Sequence, residues 1–176
     1  NAPLVSLGGI DISTGTPVTN ILKAPAGSTV VTPLTTIVQL LVEDSDGGLN
    51  VAEAESVLKA AFGLNDTVDL LNFDPVQGAA SGDPAAAALA LQVKGAAVAV
   101  ANLMDAGASA VAGAAGATDA SAFTLNVASA IAAQIQTMGS GASPTGGALQ
   151  ALATPSVLTG ILNQSATNAG QVLSPS

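Results

Sequence analysis

The residues best placed to do chemistry lie in one acidic stretch, Val42-Glu-Asp-Ser-Asp-Gly-Gly-Leu-Asn-Val-Ala-Glu53. Laid on a twelve-residue calcium loop, Asp44 takes the third position, Asp46 the fifth and Gly47 the sixth. Leu49, Asn50 and Glu53 then fall at the eighth, ninth and twelfth. Calcium needs several hard oxygen ligands and a sharp turn, and this spacing offers both. The loop's first position, where Asp is expected, is Val42, and Glu43 replaces it only with a shifted backbone. The candidate metal ligands are therefore Asp44, Asp46, Asn50 and Glu53, with calcium as the only cofactor in view. A plainer reading makes the stretch an acidic link between two helices, with Asn50 and Glu53 forming a capping box at the second. That reading explains the same residues at no extra cost, and it is preferred.

Other chemistry is thinner. Ser56-Val-Leu-Lys59 has the S-x-x-K spacing of penicillin-recognising acyltransferases, but their partner motifs are not found. Lys59 also follows Glu55 by four residues, an ordinary helix pair. Asp66, Asp69 and Asp74 lie close in sequence, and paired carboxylates can run acid/base chemistry. A glycosidase also wants aromatic or Arg groups to hold sugar, and these are scarce, so turn-forming and capping Asp is the favoured role. Asn65-Asp-Thr67 and Asn163-Gln-Ser165 match the glycosylation sequon, and no role is expected of them.

The missing side chains constrain function more than those present. The chain of 176 residues has no Cys, His, Trp or Tyr, and its three basic residues are Lys23, Lys59 and Lys94. Lacking His, it lacks the usual proton carrier near neutral pH. Ordinary zinc and copper sites are excluded, as are bidentate Arg clamps on phosphate. An enzyme is therefore not expected. The net charge of −9 repels nucleic acid and anionic membrane surfaces. Mean hydropathy of +0.57 is high for a soluble monomer and suggests surface covered by copies or neighbouring modules. The most apolar run, Ala85 to Met104, is mostly Ala and includes Gln92 and Lys94, so membrane insertion is not expected. Asn1-Ala2-Pro3 is neither a Met start nor a basic leader, so the chain is expected to begin after processing or to be part of something longer.

The elements that must position these residues fall into two parts. Residues 1–31 read as an extended or β-hairpin segment. Val5-Ser-Leu-Gly-Gly-Ile-Asp-Ile alternates, Ser13-Thr-Gly-Thr-Pro turns, and Val18-Thr-Asn-Ile-Leu-Lys resumes. Residues 32–173 read as helical, within a single domain overall. Thr32-Pro33, Asp83-Pro84, Ser143-Pro144 and Thr154-Pro155 each set a capping side chain before Pro, and Asn50 with Glu53 adds a fifth start. Helices are expected over Pro33–Val42, Val51–Phe62 (closed by Gly63) and Pro84–Asp105. A further one follows an Asp119 cap and carries Phe123, Val127, Ile131, Ile135 and Met138, and the last starts at Thr154. The alanines of Gly107–Gly116 could extend a helix, but its three glycines favour a break there, since each costs about 1 kcal/mol in a helix.

The order Gly9-Ile-Asp, Ala24-Pro-Ala-Gly-Ser-Thr-Val-Val-Thr-Pro-Leu-Thr-Thr, Leu49-Asn-Val-Ala-Glu-Ala-Glu, Phe62-Gly-Leu, Asp69-Leu and Phe73-Asp-Pro resembles a module of large bacterial secreted and surface proteins of the calcium-associated adhesin type. The likeness covers roughly residues 5 to 105. It implies a secreted, non-catalytic module within a longer or repetitive extracellular protein, and it transfers no catalytic or binding residues. The expectation is thus a mainly α bundle of about five or six helices with a short N-terminal β-hairpin. Its expected role is extracellular, on the bacterial cell surface, as a structural or adhesive module that associates with itself or neighbouring modules in a layer or fibre. A calcium-dependent binding module and an apolar-ligand carrier are the alternatives. The N-terminal extended segment is the expected polymer contact, because an unpaired strand edge invites another chain.

Overall fold

The computed structural model describes residues 2–10, 17–18, 20–43, 49–139 and 151–170. Its helices are α1 (Pro33–Glu43), α2 (Val51–Phe62), α3 (Pro75–Ala80), α4 (Pro84–Ala115), α5 (Thr124–Gly139) and α6 (Pro155–Asn168). The fold is mainly α with a short N-terminal antiparallel ribbon, as the sequence implies.

Most starts are made by the expected local devices. Thr32 and Thr35 exchange bonds at the head of α1: each hydroxyl accepts the other's backbone N–H, at 3.1 and 2.8 Å. This is a capping box with Thr in place of Glu. Asn50 and Glu53 form the ordinary version at α2, and Gly63, at φ 63°, closes that helix. Asp83 caps α4 through the Ala85 N–H. Thr154 departs from expectation. Pro155 opens α6, but the Thr154 hydroxyl turns back to the Ala151 carbonyl at 2.8 Å instead of capping. Ser143-Pro144 lies outside the described residues. Asp74-Pro75 is a start of the same kind that the sequence reading omits; its carboxylate accepts the Val76 N–H at 2.8 Å and begins α3.

Helix α1 is the centre of the body. Leu34 to Leu41 are all buried, as a helix apolar around its circumference must be. It packs on α2, α4 and α5, and α6 joins through α4 and α5. Leu58, Met104, Ile131, Ile135 and Ile161 complete the core.

The expected break over Gly107–Gly116 does not occur. Helix α4 runs through it to Ala115, and Gly116, at φ 67°, ends it. The reason is tertiary. A Cβ on Gly107 would stand 2.7 Å from Val127 Cγ1, so the glycine is what lets α4 and α5 close on each other. The propensity cost is offset by that packing. By length and composition α4 could cross a membrane, with mean hydropathy 1.5 over its most apolar stretch. A long bundle helix passes the same test; Val93, Ala96, Val100, Met104 and Val111 of α4 are buried within the body, while most of its apolar stretch is not.

The N-terminal segment forms two nested antiparallel ladders. Strand β1 (Leu4–Ser6) pairs with β4 (Leu22–Ala24), and β2 (Gly9–Ile10) with β3 (Pro17–Val18). Strand β4 lies on α1, with Ala24 fully buried; β1 lies outside it.

Candidate functional site

The acidic stretch divides between protein partners and residues the structure does not describe. Asp44 and Asp46 lie outside the described residues. Asn50 and Glu53 face each other at the head of α2. The Glu53 N–H donates to Asn50 Oδ1 at 3.0 Å, and the Asn50 N–H donates to Glu53 Oε2 at 2.9 Å. Glu43, the replacement for the missing first ligand, is turned to other work. Its Oε2 takes Lys23 Nζ at 2.7 Å and its Oε1 takes Gln39 Nε2 at 2.9 Å. The capping reading of Asn50 and Glu53 is thus realised in the geometry. Among the described residues no group of three or more His, Cys, Asp or Glu is arranged to hold a metal.

The other chemical candidates are also structural fasteners. Lys59 Nζ donates to the carbonyls of Asp66 and Val68, both at 3.0 Å, and lies 3.6 Å from Glu55 Oε1. Glu55 Oε1 in turn accepts the Leu70 N–H at 2.7 Å. Ser56, by contrast, is exposed. The pair of the S-x-x-K spacing is therefore not brought together for catalysis; its lysine ties α2 to the loop that follows. Asp69 accepts the Leu71 N–H and the Asn72 amide, and Asp74 caps α3. Asn65 closes a turn on Thr67. Asp119 accepts from both the hydroxyl and the N–H of Ser121, at 2.7 and 2.9 Å, and these bonds hold its carboxyl below its ordinary value. They set the 3₁₀ turn Ser121–Phe123 that leads into α5.

Two surfaces remain after these assignments. The first is the ribbon. Leu4, Val5, Leu7 and Ile10 are 41, 51, 80 and 71% exposed, four of the seven large apolar side chains exposed among the described residues. The ribbon meets the body through β4, where Ala24 is buried, Leu22 packs against the core and polar groups add to the contact. The Lys23 N–H donates to the Thr36 hydroxyl at 2.9 Å, and its carbonyl accepts from the hydroxyls of Thr35 and Thr36 at 3.0 and 3.1 Å. Asn20 Nδ2 reaches Asp105 on α4 at 2.6 Å. Two threonines of α1 therefore cover the outer edge of β4. The sequence reading places no role on them, because the pairing joins residues 12 and 13 apart through folding alone.

The second surface is an open apolar groove of about 450 Å³ between α4 and the start of α6. Ala99, Leu103 and Ala106 form one wall, Leu152 and Leu158 the other, and Asn102 is its polar member. A smaller groove of about 190 Å³ continues from it past Gly107 and Ile161, sharing Leu103, Ala106 and Leu158. The small alanines of α4 leave this space, since little side chain projects to fill it.

Together these features define a mainly α body with a β-ribbon arm and an aliphatic groove. No family model, curated protein or solved structure matches this chain.

Proposed function

We propose that the chain is a non-catalytic structural or adhesive module of the bacterial cell surface, working by association with copies of itself or with neighbouring modules. The observation that carries this reading is the arm, which holds Leu4, Val5, Leu7 and Ile10 in water while the body's polar groups are satisfied. Among the described residues no buried side-chain nitrogen or oxygen lacks a partner. Apolar side chains gathered on one exposed element mark an interaction surface. Most acids among the described residues serve as caps and fasteners, and a net charge of −9 disfavours nucleic acid as a partner. Sedimentation and negative-stain images of the pure protein test the proposal: concentration-dependent assembly is expected. A clean monomer at high concentration, with and without calcium, would sink it.

A second reading, an apolar-ligand carrier, is favoured by the groove between α4 and α6. Its aliphatic walls and lack of a basic side chain suit a neutral hydrocarbon chain. Native mass spectrometry of protein purified without detergent distinguishes it, since a carrier retains a lipid and a module of the first kind does not.

A further inference from the structure

We infer that the arm pairs with the arm of a second copy, β1 against β1 about a two-fold axis at Val5, which deepens the self-association proposed above and rests on it. The backbone fixes the geometry. Val5 stands opposite Lys23 in the β1–β4 ladder. The Lys23 N–H and carbonyl are turned away from β1, onto the threonine hydroxyls of α1. In an antiparallel ladder both residues of such a pair point their N–H and C=O outward. The Val5 donor and acceptor therefore face the outer edge of β1, with which no strand among the described residues pairs, and Leu4 and Ser6 make the inward bonds.

An outward N–H and C=O on one residue are complementary to the same pair in a copy rotated by a half-turn. Val5 then faces Val5 of the copy, and both exchange hydrogen bonds. Leu7 comes opposite Pro3, which accepts but cannot donate, so the ladder ends there. Pro3 thus limits the contact to a short register. The result is a four-stranded sheet whose outer edges are the two β4 strands, each already covered by α1. Isolated two-stranded ribbons are marginal in water, and added strands stabilise them. The occupant is a second copy on grounds of charge as well. Residues 2–10 carry no charge in a chain of −9, so the arms meet without the repulsion that opposes contact through the acidic body. Val5 and Leu7, now 51 and 80% exposed, come together at the seam.

Val5→Pro tests this directly, because the N–H it removes is unused within the ladder. Unchanged helical circular dichroism with dimerisation weakened more than about 10-fold is expected in sedimentation. The chain has no Cys, so single thiols report proximity cleanly. Val5→Cys is expected to oxidise to a linked dimer, since facing Cα atoms in such a pair lie about 5.5 Å apart. Leu91→Cys, on α4 and more exposed at 67%, is expected to stay without a covalent link although its arms still pair. Assembly that persists in Val5→Pro, with no faster linking of Val5→Cys than of Leu91→Cys, overturns the arm pairing and leaves self-association standing. A wild-type chain that stays monomeric overturns both. An arm that links only to a different protein overturns the second copy as occupant.

Discussion

The arm and the body use the same aliphatic residues in opposite ways. In the body, Leu34, Ile37, Val38 and Leu41 of α1 are removed from water by three surrounding helices and strand β4. In the arm, Leu4, Val5, Leu7 and Ile10 face solvent, and β4 joins the body through Ala24 and Leu22 as well as through hydroxyls, an amide and the Lys23–Glu43 pair. The difference separates stability from association. Burial already achieved stabilises the monomer, and burial still available can stabilise only a complex. A chain poor in aromatics builds its body from small side chains at close approach and, among the described residues, keeps four of its seven large exposed apolar side chains on the ribbon.

The sharpest break in that comparison is a truncation in each part. Ile37→Ala removes a fully buried side chain at the centre of α1, and a loss of about 3 kcal/mol is expected in urea unfolding. Val5→Ala, in the arm, is expected to change monomer stability by less than about 0.5 kcal/mol. Equal losses at the two positions would show that the arm is part of the core.

The junction carries an intermediate effect. Thr36 is fully buried, and Thr36→Val keeps its shape while leaving the Lys23 N–H without its acceptor. A cost of about 1 kcal/mol is expected for leaving this partly buried donor unsatisfied. Amide exchange should quicken at Lys23 and along β4 before it quickens in α5. Exchange unchanged at Lys23 would mean that the hydroxyl does not hold the arm.

Gly107→Ala sets two terms of opposite sign against each other. Alanine is favoured over glycine in a helix by about 1 kcal/mol. The added methyl meets the branched Val127 at 2.7 Å, and overpacking of this kind costs about 1–3 kcal/mol. A net loss of about 1 kcal/mol is therefore expected, and Val127→Ala in the same chain should recover part of it. A stabilised single variant would place the glycine outside the α4–α5 contact.

These substitutions also mark what the sequence could and could not reveal. The caps at Asn50 and Asp83 were legible because donor and acceptor lie within three residues of each other. The same local rule applied at Asp74 would have found α3. The continuity of α4 was not legible: three glycines in ten residues argue for a break until Val127, twenty residues beyond Gly107, is known to press on one of them. The threonines that hold β4 read as ordinary helix-start residues, and their second partner is supplied only by folding. The candidate calcium loop was legible as composition, yet Glu43, Asn50 and Glu53 take protein partners that spacing alone does not distinguish from ligation.

The smallest expected effect sharpens the contrast between a buried polar fastener and an exposed one. Asp119 is fully exposed, and its carboxyl is held below 3.8 by the Ser121 hydroxyl first and the Ser121 N–H second. Both bonds favour the charged form, so the folded chain binds this proton less tightly than the unfolded chain does. Its contribution to stability is therefore present above the unfolded value and is lost as pH falls through the lower, folded one. Ser121→Ala removes the larger cause and keeps the backbone bond. An NMR titration of the Asp119 carboxyl should then show its midpoint moving up toward 3.8 without reaching it, with a slight fall in melting temperature at neutral pH that vanishes in strong acid. Thr36→Val, by contrast, removes a bond between groups that do not titrate, and its cost should persist at every pH where the body stays folded. A melting difference for Ser121→Ala that survived below the folded midpoint would assign the turn's stability to packing rather than to the charge.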